Sequence, residues 1–286
     1  MTPAQTLDTD WTGEDVTMGQ IERELGKLRD SAGPGSAMQR TSVMTHIAWV
    51  PPDWVGAARG VLAGLSERHP SRTIMLVPVP DAPDGIDANL SLVCFPLGDR
   101  SVCADVIELT LRGDRMRSPA SIVLPLLMSD LPVFCRWRGM PPFGEQTFEQ
   151  MLDVVDRLVV DTAEWNELRY ADLLPVFERA AVTDIAWSRT MPWRRMLAAY
   201  WPGIREQEIH VRGPRAEGTL VRAWLGSRLN RTMRPLEDAD ALEVRLGGEV
   251  LPHPPDEAKT PADLLSDELE RFGRDRVYEQ AVRAAT

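Results

Sequence analysis

Two stretches of this 286-residue chain gather side chains able to hold a charge or grip a partner. The first is L-R-G-D-R-M-R-S-P, where Arg112, Arg115 and Arg117 arrive just ahead of Ser118 and Pro119. A hydroxyl followed by proline is a helix-start signal. Three guanidiniums would then stand beside free backbone N–H groups and the positive end of a helix dipole, an arrangement that suits an anion. The same residues also suit a solvated loop. The second stretch runs from Asp184 to Arg195 and holds Trp187, Arg189, Trp193, Arg194 and Arg195, with Trp201 soon after. Phe134, Arg136, Trp137 and Arg138 repeat the combination earlier. Tryptophan and arginine carry much of the energy at protein interfaces, and they also serve ordinary cores and helix ends.

Other chemistry finds little footing. His46, His69, His210 and His253 fall in no metal-ligand spacing, and there is no C-x-x-C. No G-x-S-x-G elbow, Walker loop or G-x-G-x-x-G after a strand occurs. Asp153 and Asp156 read as a solvated helix edge. The sequence therefore assigns no catalytic residue, metal ligand or cofactor, and the expectation is a protein that is not an enzyme. A net charge of −11 argues against nucleic acid as the main partner, because neutralising phosphates needs a basic face. All the basic residues except Lys27 and Lys259 are arginines, whose forked guanidinium suits interface pairing. No apolar run is long enough to span a membrane, and M-T-P-A-Q-T-L-D-T-D has no signal-peptide pattern, so a cytoplasmic location is expected. Cys94, Cys103 and Cys135 lie in apolar runs and fit reduced, buried thiols; Cys94 and Cys103 would pair only if they faced each other across a hairpin.

The elements that must position these residues alternate between strand and helix. Residues 1–37 read as an amphipathic helix and an S-A-G-P-G-S-A linker. From Arg40, T-S-V-M-T-H-I-A-W-V is a strand, followed by a helix that Asp53 would cap. Gly56, Gly60 and Gly64 share one face of it, which predicts close approach of another backbone. H-P-S-R-T-I-M-L-V-P-V-P is a second strand, stopped by its prolines, and residues 90–112 are a hairpin turning at Gly98-Asp99. Ser118 opens a helix that Pro125 shortens, V-F-C-R-W is a buried strand, and a helix near 147–156 leads to R-L-V-V-D. Asn166–Ala181 is expected to be a helix. Then come a helix in D-I-A-W-S-R-T-M-P-W-R-R-M-L-A-A-Y-W, a strand in E-I-H-V-R-G, a helix in A-E-G-T-L-V-R-A-W-L-G-S-R-L and a strand in A-L-E-V-R-L-G-G. Thr260-Pro261-Ala262-Asp263 opens the last helix, which Gly273 divides. The pattern predicts an α/β fold with a mixed, largely parallel sheet covered by helices, in two lobes: 38–165 and 166–286.

Five blocks in order carry a resemblance: H-P-S-R-T-I-M-L-V, S-P-A-S-I-V-L-P-L-L-M-S-D-L-P-V-F-C-R-W-R-G, D-R-L-V-V-D-T-A-E-W, D-I-A-W-S-R-T-M-P-W-R-R-M-L-A-A and D-E-L-E-R-F-G-R-D-R-V-Y-E-Q-A-V. Together they resemble the glucose-6-phosphate dehydrogenase assembly (OpcA) family. The resemblance implies a non-catalytic protein that binds oligomeric glucose-6-phosphate dehydrogenase and promotes its active state, and with it NADPH supply from the pentose phosphate route. It reaches Pro132, Trp137, Asp161, Asp184, Trp187, Arg189, Pro192, Trp193 and Arg194. Met191 stands where the family has threonine, which puts the helix start in doubt and moves it toward Thr190 or Ser188. Partner contact is expected at Trp137, Arg138, Asp184, Trp187, Arg189, Trp193 and Arg194. The rival expectation is a sugar-phosphate-sensing module built on Arg112, Arg115, Arg117 and Ser118.

Overall fold

The structure is a computed structural model that describes residues 5–6, 10–31, 42–66, 68–69, 71–97, 100–255 and 259–286. The first half contains β1 (Gln5–Thr6), β2 (Trp11–Gly13), α1 (Met18–Ser31), β3 (Thr45–Trp49), α2 (Val55–Ser66), β4 (Arg72–Val79), β5 (Gly85–Leu97) and β6 (Arg100–Arg112). Next come α3 (Pro119–Val123), β7 (Val133–Trp137), α4 (Gln146–Leu152), β8 (Arg157–Val160), α5 (Leu173–Phe177), β9 (Ala181–Asp184), α6 (Ile185–Arg189) and α7 (Met191–Ala199). The remainder is β10 (Ile209–Gly213), α8 (Arg215–Leu229), β11 (Glu237–Asp238), β12 (Glu243–Leu246), β13 (Glu249–Val250), α9 (Pro261–Leu269) and α10 (Arg276–Ala285).

A large sheet has the strand order β1-β5-β6-β4-β3-β7-β8-β9, with β2 also on β5. From β6 to β9 every neighbouring pair is parallel, and β5 joins antiparallel. Parallel strands buried on both faces should read as unbroken apolar runs, and V-F-C-R-W is buried at every position. Alternate residues feed opposite cores. Ile47, Cys135, Trp137, Leu158 and Val160 meet α3, α4, α5 and α10 on one face. Met44, Phe134 and Val159 meet α2 and α9 on the other. The expected α/β class holds.

Several local expectations hold and several do not. Thr260 and Asp263 form a reciprocal capping box at α9, and the chain breaks at Gly273 before α10. Asp53 caps nothing; it lies inside a 3₁₀ turn, Pro52–Trp54, that feeds α2. Gly56 and Gly60 face open space, and only Gly64 is closely approached, by Ala262 of α9 at 3.0 Å from where a Cβ would stand. Pro78 does not stop β4, because β3 pairs only as far as Leu76 and leaves no partner for the N–H that proline lacks. The helix expected over Asn166–Ala181 shrinks to a 3₁₀ turn, Tyr170–Asp172, and α5. The turn expected at Gly98-Asp99 and the linker beyond Ser31 lie outside the described residues.

The cysteine expectation is corrected. Cys94 and Cys103 are direct partners in the β5–β6 register, with Cα atoms 4.1 Å apart, and they form a disulfide. Register is what decides this, and spacing alone does not give it. Cys135 is a free thiol in the core, pushed up to about 12 by burial.

The large sheet runs past residue 165, since β9 pairs with β8 and α9 and α10 return to cover it. The second sheet, β11-β10-β12-β13, therefore forms a smaller unit between α7 and α9. Helix α8 joins the two, placing Ala216 and Leu220 in the main core and Val221 and Leu225 in the small one. Asn230 ends α8 in the left-handed conformation at φ 50°.

Candidate functional site

In a doubly wound sheet, ligands bind beyond the carboxyl ends of the strands where the order reverses. That point here lies between β3 and β7, whose following helices α2 and α4 pack on opposite faces. Side chains fill it. Trp49 and Trp137 stack with centroids 4.6 Å apart, and Phe148 meets Trp137 edge-on at 5.2 Å. Arg138 closes the top, its guanidinium 5.3 Å from the centre of the Trp54 ring. Glu164 gathers what remains, accepting from Arg136 at 2.6 Å and from the Gly139 N–H at 2.9 Å, with Arg138 at 3.5 Å.

The ends of β8 and β9 carry a second polar cluster. Asp161 accepts two hydrogen bonds from Arg189, at 2.5 and 3.0 Å, and Arg189 reaches Glu217 of α8 at 3.1 Å. Asp184 is fully buried and accepts from the Thr162 N–H and hydroxyl, the Ala186 N–H and the Tyr278 hydroxyl. It thereby caps α6; α7 begins with Thr190 at its cap position, as expected, though without a side-chain cap. Burial, then the neighbouring Asp161, pushes the Asp184 carboxyl up to about 7, with the hydrogen bonds pulling the other way.

This has a measurable consequence. An unfolded aspartate ionises near its ordinary value, whereas folded Asp184 keeps its proton to about 7, so its contribution to stability is lost as pH rises from about 4 to about 7. His46 acts oppositely below about 6.5, because burial holds it neutral down to about 4. The difference between the protein and Asp184→Asn isolates the aspartate. Urea midpoints at pH 5 and pH 8 should show the parent losing stability relative to the variant as pH rises. Parallel changes in both proteins would show that Asp184 is already ionised at pH 5.

The aromatic–arginine stretch folds inward. Trp187 is buried and donates its indole N–H to Asp275 at 3.0 Å. Arg194 lies 3.4 Å from the centre of the Trp187 ring and donates to Thr190 Oγ1 and the Trp187 carbonyl. Burial brings its guanidinium down to about 10. Of the seven residues expected to touch a partner, Trp137, Asp184, Trp187, Trp193 and Arg194 are buried, while Arg138 and Arg189 are partly accessible.

The arginines ahead of Ser118 turn to protein carboxylates. Arg112 pairs with Asp87 at 2.9 Å and lies 3.6 Å from Asp15, and Arg117 pairs with Asp114 at 3.3 Å. Arg115 is exposed in the same 3₁₀ turn. Ser118 makes no side-chain cap, and α3 is only 5 residues long.

A wide opening lies elsewhere: a cleft of about 1050 Å³ between α7, the Pro254-Pro255 segment and α9. Ser188, Arg189, Arg195, Lys259, Asp267 and Arg271 supply its polar lining. A smaller hollow of about 230 Å³ shares Arg189, Pro192 and Pro254 with it. Beneath the floor, buried Glu268 accepts hydrogen bonds from Thr183 and Ser188 and lies 3.4 Å from Arg271. The sequence does not link Lys259 and Arg271 to Arg195, because more than sixty residues separate them from it. Among the described residues, no group of three or more His, Cys, Asp or Glu could hold a metal ion, and no helix is long and apolar enough to cross a membrane.

Comparison with known proteins finds similarity over part of the chain. Residues 63–174, from α2 to α5, match the family described as glucose-6-phosphate dehydrogenase subunit N-terminal domain, the OpcA glucose-6-phosphate dehydrogenase assembly family. The match covers less than half of the chain. The chain is 26% identical over 200 residues to a protein of Synechocystis named OxPP cycle protein OpcA, covering 63% of this chain and 41% of that one. A Nostoc punctiforme protein of the same name is 26% identical over 242 residues, 74% of this chain and 52% of its own. The chain thus spans about half the length, or less, of these OpcA relatives. The family match ends before β9, so the cluster around Arg189 and the large cleft lie outside it.

Proposed function

We propose that this chain is a non-catalytic cytoplasmic partner of glucose-6-phosphate dehydrogenase, binding the enzyme and favouring its active oligomeric state, with NADPH supply as the consequence. The observation that carries the reading is the crevice between β3 and β7. Where an α/β enzyme of this topology keeps room for a ligand, Trp49, Trp137 and Arg138 occupy the space. The family match supports glucose-6-phosphate dehydrogenase as that partner. We place the contact over the buried Trp187–Arg194 cluster, where Arg189 reaches solvent and Tyr200 and Trp201 stand exposed at the end of α7. The buried members then act by holding that surface rigid.

An activator must bind the active form of its target more tightly than the inactive form, by about 1.4 kcal/mol for each tenfold shift. Co-expression with the dehydrogenase of the same organism should give a complex on sizing, and adding this chain should raise the enzyme's kcat/KM. Trp201→Ala combined with Tyr200→Ala should weaken both effects while leaving this protein folded, since both side chains are exposed. Absence of a complex at micromolar concentrations together with unchanged kinetics would discard the reading.

A further inference from the structure

We infer that the cleft between α7, Pro254-Pro255 and α9 is a binding site for a phosphorylated small molecule with two or more negative charges. In a chain of net charge −11, the described residues lining this cleft present Arg189, Arg195, Lys259 and Arg271 and, among the described residues, a single carboxylate, Asp267. The other counter-charges lie behind the wall. Asp161 and Glu217 hold Arg189, and Glu268, with no exposure at all, holds Arg271. Arg189 and Arg271 therefore face the opening while their carboxylates lie behind it, and Lys259 pairs with Asp267 at the rim. Backed by fixed partners, these guanidiniums are oriented before any ligand arrives, which lowers the ordering cost of binding. Among the described residues, Arg195 makes no hydrogen bond or ion pair, so its whole fork is open to a ligand.

Arginine forks match phosphate oxygens two at a time, and lysine adds a compact charge. Met191, Met196 and Leu264 supply the apolar wall on which a ring or carbon skeleton would rest. At about 1050 Å³ the cleft has the size of a small-molecule site, room enough for a nucleotide-sized ligand. The cleft shares Arg189 with the proposed partner surface, and ligand binding is tested on the isolated chain, without the partner.

Calorimetric titration at constant ionic strength would use inorganic pyrophosphate, ATP and uncharged adenosine as probes. Pyrophosphate and ATP should bind saturably with one site, ATP more tightly, and adenosine should not bind. Arg195→Glu should weaken both by about tenfold or more, because it replaces a charge-assisted donor with a repelling group. Arg195 is exposed, so this variant should unfold at the parent's temperature. Arg228→Ala, an exposed arginine of α8 away from the cleft, should bind as the parent does. No saturable heat with pyrophosphate or ATP up to about 10 mM, far above the ordinary range for metabolite sites, would overturn the inference. So would binding that Arg195→Glu leaves unchanged.

Discussion

Trp137→Ala should lower the free energy of unfolding by about 3–5 kcal/mol, read as a fall in the urea midpoint at unchanged slope. Trp137 is 2% exposed, stacks on Trp49 and receives the edge of Phe148, which also touches Phe143. Truncation removes one of the two tryptophans of the crevice and leaves its neighbours without contacts on one side. They cannot easily collapse, because Trp49 is fixed on β3 and Phe148 on α4. Trp137→Phe keeps most of the ring contact and should cost well under half as much. A loss below about 1.5 kcal/mol for the alanine variant would mean that the stack is loose enough to close. The crevice would then be a potential cavity, and the argument against a reaction centre would lose its footing.

Much of the frame was legible because parallel strands and caps carry strong local signals. V-F-C-R-W and R-L-V-V are apolar runs between proline or aspartate breaks, and β7 and β8 form there. Thr260-Pro261-Ala262-Asp263 is a complete N-terminal signal, and α9 starts on it. Strand β9 was missed because Ala181-Val182-Thr183-Asp184 is only 4 residues long and sits between two helical patterns. The Cys94–Cys103 bond was open for the same kind of reason: a hairpin's register depends on its turn and not on the spacing of two residues.

The harder lesson lies in the tryptophan–arginine stretch. Interface hot spots and polar cores draw on the same residue types, so composition cannot tell them apart. What decides between them is where the counter-charges lie. Arg194 has a tryptophan face and two hydrogen-bond acceptors within the chain, and therefore can be buried. Arg195, one residue on, points to the other side of α7 and has neither. Helical periodicity places adjacent residues about 100° apart, so a run of arginines is split between core and cleft by rotation alone. The cleft's other cations come from α9 and the segment before it, which only the return of the chain over the large sheet brings near.

Glu268→Ala should cost about 3–5 kcal/mol, because it leaves buried positive charge without its partner. The carboxylate has no solvent exposure and accepts from the hydroxyls of Thr183 on β9 and Ser188 on α6. Arg271 lies 3.4 Å away, and Arg157, itself buried on β8, feels the same charge. Removing the acid strands two hydroxyls and leaves Arg157 with the Gly273 carbonyl and the ring of Phe134 as its neighbours. Glu268→Gln keeps one acceptor and the shape, so its cost should be smaller, about 1–2 kcal/mol for the lost charge pairing. Burial pushes the Glu268 carboxyl above the usual glutamate range, so its own contribution weakens as pH rises above that range, and the gap between parent and Gln variant should narrow with rising pH. An alanine variant as stable as the parent would show that the carboxyl is held protonated and contributes no charge to the network.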